Sequence, residues 1–225
     1  MRIITSNNFL AQNSNEWFAR KKPDWIKKNN QEEYSSTSTC PSFVELFKNT
    51  FVFCNPVEIM ILTDKNTNMY GLQAADHQKF MEISSHNFAD QLDSTFAEKY
   101  FSLKFKFPDV SVLSDKVESL IFMPCEYHFS NFPNFPIQAM IGVLETIPNK
   151  SLEITFNFKV DKKIVYEREE WLIPKNTPLA YCYFPNGAPK QVEYISKEEI
   201  ESTRWFPTEF NCPYLRELNE TKKST

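Results

Sequence analysis

The run FSLKFKF, residues 101–107, sets the tightest constraint on what this chain can become. Phe101, Leu103, Phe105 and Phe107 fall on one side of an extended backbone, and Ser102, Lys104 and Lys106 fall on the other. Alternation with period two makes no coherent helical face, so it predicts a strand with one buried and one wet side. VESLIFMP, IQAMIGVLET, SLEITFNFKV, KIVYEREEW and PLAYCYF continue the theme, so residues 101–195 predict an all-β body of about seven strands. FVFC, VEIMILTD and NMYGLQ predict an earlier group, separated by turns at Asn55-Pro56 and Lys65-Asn66. The 21 Phe and 9 Tyr supply bulky rings that sit best on pleated surfaces. The expected fold class is therefore α+β, predominantly β, with a sandwich-like body and short peripheral helices.

The helices are predicted from their ends. Ser14 can cap a helix through Lys22, which Pro23 would stop. CPSFVELFKN places Pro41 in a first turn, with Phe43, Val44, Leu46 and Phe47 on a buried face. Phe88, Ala89, Leu92 and Phe96 recur at helical spacing and predict a short helix over 86–97. Ser196 and Glu199 form a capping box that opens a helix to about Trp205, and PYLRELN extends the helical end over 196–218. A polar connector, NNQEEYSSTST, precedes Cys40. The expected organisation is a basic-aromatic arm over 1–40 and one β-rich domain over 41–225.

A net charge of −4 argues against a surface that coats nucleic acid throughout. The first thirty residues run the other way, with Arg2, Arg20, Lys21, Lys22, Lys27 and Lys28 against Glu16 and Asp24. Within them WFARKKPDWIKK interleaves rings and cations. Trp17, Arg20, Lys21, Lys22 and Trp25 could stack bases and track phosphates, as single-strand binders do. The competing expectation is that the indoles dock on the body or on a neighbouring subunit while the lysines stay wet.

Three glycines, Gly71, Gly142 and Gly187, cannot spell a dinucleotide fingerprint, a P-loop or a nucleophile elbow. Five cysteines without a CxxC pair point to free thiols and a reducing cytoplasm. The opening residues lack the apolar core of a signal peptide, and no run is long enough for a membrane helix, so no membrane association is expected. Glu126 and His128 lie two apart and are the best metal candidates, together with His77 or His86. A surface Glu and a hydrogen-bonded His are the plainer reading of that pair. Cys125 beside His128 suggests a thiol nucleophile, or simply a core cysteine. Glu167, Glu169 and Glu170 fit a solvated face better than a catalytic dyad. No cofactor is expected.

Four segments, KFKFPDVSVL, ESLIFMP, IGVLET and IPKNTPLAYCYFP, occur in an order that resembles an uncharacterised protein family of marine tailed phages and bacteria. More distantly, the same order is similar to the dUTPase and dCTP deaminase group. That likeness implies a β-clip-like body, self-association or another phage or host protein as partner, and a nucleotide pocket at Gly142 and Glu145. Glu145 stands where that group carries Asp, and its glycine-rich closing motif and Arg-Gly-Ser run are missing. The expected function is a non-catalytic binding or assembly protein. A nucleotide-handling enzyme or sensor is the alternative.

Overall fold

A computed structural model describes residues 1–21, 40–64, 69–74, 82–85, 94–125, 137–167, 170–189 and 191–205. β1 (Arg2–Thr5), α1 (Asn8–Gln12), α2 (Ser14–Trp17) and β2 (Phe18–Ala19) come first. They are followed by α3 (Pro41–Lys48), β3 (Thr50–Cys54), β4 (Ile59–Asp64), β5 (Met69–Ala74) and β6 (Glu82–Ser85). α4 (Ser94–Lys99) leads into β7 (Tyr100–Leu113), then β8 (Ser119–Pro124), β9 (Ile137–Ala139), β10 (Gly142–Glu145) and β11 (Leu152–Asp161). α5 (Lys162–Tyr166), β12 (Glu170–Ile173), β13 (Pro178–Tyr183), β14 (Val192–Tyr194) and α6 (Lys197–Thr203) complete the described chain.

The strands form three sheets. A six-stranded sheet runs β14-β1-β7-β11-β9, with β6 also paired to β7. A second runs β10-β8-β13-β3-β2, and a small third runs β12-β4-β5. The fold is thus α+β and predominantly β, as the alternation predicts.

Phenylalanines join the two larger sheets. Leu103, Phe105 and Phe107 of β7 and Ile154, Phe156 and Phe158 of β11 are all buried on the inner face. Phe156 stacks on Phe53 of β3 with centroids 4.2 Å apart, and meets Phe122 of β8 edge-on at 5.0 Å. Such ring pairs add to the burial of large apolar areas, so the sheet-to-sheet core carries most of the stability. Lys106 on the outer face pairs with Glu153 at 2.9 Å, and Arg204 closes on the same carboxylate. A register shift between Glu153 and Ile154 absorbs extra β7 residues around Pro108, whose missing N–H suits a bulge. Beyond it, β7 turns its far half to β1, and Ser6 N–H donates to the Asp109 carbonyl at 3.2 Å.

Helices cover the outer faces. α3 sets Phe47 over Val52, Cys54, Cys125 and Tyr181, meeting the Tyr181 ring edge-on at 5.8 Å. Ile200 of α6 covers Ile4 and Leu113, and Ser196 caps this helix by accepting from Glu199 N–H at 3.1 Å, as the capping box predicts. β13 is central in its sheet, and Leu179 to Cys182 are buried. Its entry turn is held by Asn55, whose side-chain N–H groups donate to the carbonyls of Val57 and Pro174 at 2.7 and 2.9 Å. Asn176 in that turn adopts φ of 65°, a left-handed conformation that Asn tolerates.

Four expectations are corrected. Residues 1–21 are not an arm: β1 lies between β14 and β7 inside the largest sheet, and β2 pairs with β3. The helix expected from Ser14 to Lys22 ends at Trp17, because Phe18 and Ala19 are drawn into that pairing. KIVY is the helical turn α5, not a strand, since the Asp161 carboxylate caps it by accepting from Ile164 N–H at 3.2 Å. IQAMIGVLET is not one strand but two, β9 and β10, in different sheets. A fifth departure lies in α3, where Val44 is exposed while Phe47 reaches the core.

Candidate functional site

The crossing between the two large sheets builds a concavity. β9 pairs with β11 only opposite Phe158 to Val160, after which Met140 N–H donates to the Asn157 carbonyl at 2.7 Å and the chain leaves the sheet. From Gly142 it pairs with β8 instead. A cleft of about 170 Å³ opens at this crossing. Phe122 of β8, Thr155, Phe156 and Asn157 of β11, and Met140, Ile141 and Gly142 of the connecting chain line it. Asn157 Oδ1 is buried with no hydrogen-bond partner within the protein. An acceptor left unmatched in this way costs the folded chain free energy.

β10 forms the outer edge of its sheet, and among the described residues no strand pairs with its far side. Ile141 and Val143 are 76% and 60% exposed at this edge. Leu144 faces the opposite way and packs against the core. The site therefore combines a small cleft with a strand edge, unpaired among the described residues, that carries exposed apolar side chains.

Of the residues singled out in the sequence, Gly142 lines the cleft and Glu145 does not, sitting opposite Ser119 of β8. Within the basic-aromatic set, Trp17 is turned into the body while Arg20 stays exposed. Trp17 is 3% exposed, stacks on Phe107 at 6.0 Å and donates its indole N–H to the Leu10 carbonyl at 2.9 Å. Arg20 donates to the carbonyls of Ala188 and Pro189 and lies over the Phe51 ring. Lys21 Nζ donates to the Glu16 carbonyl at 2.6 Å and to Cys54 Sγ at 3.4 Å. Docking on the body thus describes Trp17, whereas base stacking would need an exposed ring. Lys22 and Trp25 lie outside the described residues, as do Glu126, His128, His77 and His86.

Three of the described cysteines behave as core residues. Cys40, Cys54, Cys125 and Cys182 are free, and the last three are buried. Burial pushes the Cys54 thiol up against the opposing pull of Lys21, and burial next to Cys125 pushes Cys182 well up. A thiol held protonated is a poor nucleophile. Asn157, Thr155, Ile141 and Val143 were not legible as site residues. Their chemistry comes from where β9 stops and β10 starts, and an unbroken apolar run carries no mark of that point.

Compared with known proteins, the chain matches no family model, no curated protein and no solved structure.

Proposed function

We propose that this chain is a non-catalytic binding or assembly protein working through the side of the sandwich where β10 meets the cleft. The carrying observation is the exposure of Ile141 and Val143 on an edge strand. Edge strands offer unpaired N–H and C=O groups, and proteins that stay monomeric blunt them with lysine, proline, bulges or a covering element. From Gln138 to Leu144 there is no charge and no proline. A bare apolar edge of this kind suits partner docking by strand addition. The resemblance to a phage family supports a second copy, or a phage or host protein, as the partner, in the cytoplasm of an infected cell. Sedimentation velocity on the full chain tests the reading. It predicts species heavier than the monomer that grow with concentration, and a strict monomer that turns over a nucleotide would overturn it.

The cleft favours a second reading, a nucleotide-handling enzyme or sensor. A small cleft lined by two aromatic residues and an asparagine suits a planar heterocycle. This reading predicts that at least one deoxynucleoside triphosphate raises the melting temperature, and that Asn157→Ala removes the shift. No shift and no hydrolysis across the four nucleotides with Mg²⁺ would exclude it.

A further inference from the structure

We infer that β10 pairs with β10 of a second copy, antiparallel across a two-fold axis at Gly142, joining two five-stranded sheets into one. The inference rests on the assembly reading above and adds its partner, register and geometry. Thr146 N–H donates to the Glu118 carbonyl at 2.8 Å, so Thr146 points its backbone groups at β8. Antiparallel ladders alternate residue by residue, so Leu144 and Gly142 do the same. Val143, and Ile141 when the alternation continues back, direct N–H and C=O outward. These are also the two residues with exposed apolar side chains.

A two-fold axis normal to the sheet keeps inner and outer faces matched, so opposed residues must share parity. Centring it on Gly142 sets Ile141 opposite the partner's Val143, and Val143 opposite the partner's Ile141. Both are hydrogen-bonding positions, and four exposed apolar side chains close into one cluster. Centring it on Val143 would instead oppose Ile141 to the partner's Glu145, an apolar side chain against a carboxylate. The pairing brings no like charges together, because Gln138 to Leu144 carries none.

Gly142 supplies an independent reason. Among the described residues, a Cβ built there would meet only Phe122 Cδ2, at an ordinary 3.7 Å, so crowding by them does not require glycine. Its φ is not among the positive values. A strand glycine that its own fold does not demand commonly marks the close approach of another backbone. The contact is short, and a strand-only interface stays below the roughly 1,000 Å² that stable complexes bury. The dimer is therefore weak and concentration-dependent.

Sedimentation velocity from micromolar to millimolar protein tests this on the full chain, with Val143→Lys as the disrupting variant and circular dichroism to check its fold. We expect a monomer–dimer equilibrium in the parent, weakened about tenfold or more by Val143→Lys. Gly142→Cys tests the register. The α-carbons of a facing non-hydrogen-bonded pair sit about 4.5 Å apart, within disulfide range. Mild oxidation should thus link Gly142→Cys dimers while leaving the parent and Glu145→Cys unlinked. Assembly that survives Val143→Lys, with no Gly142→Cys link, would overturn this interface and leave the assembly reading standing. A parent that is monomeric throughout would overturn this dimer, and would overturn the reading above as well if that monomer turns over a nucleotide.

Discussion

Two buried side chains show how the first residues bind the fold. Trp17 fills the core beside Phe107 and spends its only polar group on the Leu10 carbonyl. Trp17→Ala removes a large buried side chain and leaves a cavity, so we predict a loss of about 3–5 kcal/mol in denaturant unfolding. Glu118 is 6% exposed and takes the Met1 ammonium at 2.6 Å and the Ser114 hydroxyl at 2.6 Å. Burial alone would raise its carboxyl. The hydrogen bonds from Met1 and Ser114, with the Met1 and Lys116 charges, outweigh that and hold it below the usual carboxylate range. A carboxylate more acidic folded than unfolded stabilises the fold above its unfolded pKa of about 4.3, and that contribution disappears as pH falls through the folded value. Glu118→Gln should therefore cost about 2 kcal/mol at neutral pH and narrow its gap to the parent in acid. A gap that does not change between pH 7 and pH 3 would contradict this.

Elements were legible in proportion to how local their causes are. β7 and β11 carry their alternation in one unbroken stretch, and α6 carries its capping box. Both therefore appear in the fold close to where the sequence predicts them. β1 and β14 are short pieces held by pairing with each other across most of the chain, and RIIT and VEY have no local mark of that partnership. KIVY is rich in β-branched and aromatic residues, yet the Asp161 cap turns it helical. Asp161→Ala should lower stability by about 1 kcal/mol, the usual cost of losing an N-cap, measured by thermal or denaturant unfolding. The turn into β13 offers a sign test. Asn176 has positive φ, so Asn176→Gly should be neutral or slightly stabilising, whereas Asn176→Val should destabilise by about 1–2 kcal/mol. Equal melting temperatures for the two variants would show that the turn does not hold that conformation.

Across the whole molecule, the first residues are structural, because β1 and β2 are strands of the two large sheets. Deleting residues 1–21 would open the six-stranded sheet between β14 and β7, so we predict loss of the cooperative unfolding transition instead of a folded, armless body. The candidate site was legible only at Gly142, since the cleft and bare edge arise when a continuous apolar run is divided between two sheets. Residue-resolved amide hydrogen exchange at low and high protein concentration tests the central claim most directly. The amides of Ile141 and Val143 should exchange quickly when dilute and slow markedly when concentrated, while those of Gly142 and Leu144, turned towards β8, change little. Exchange at Val143 that does not depend on concentration would contradict it.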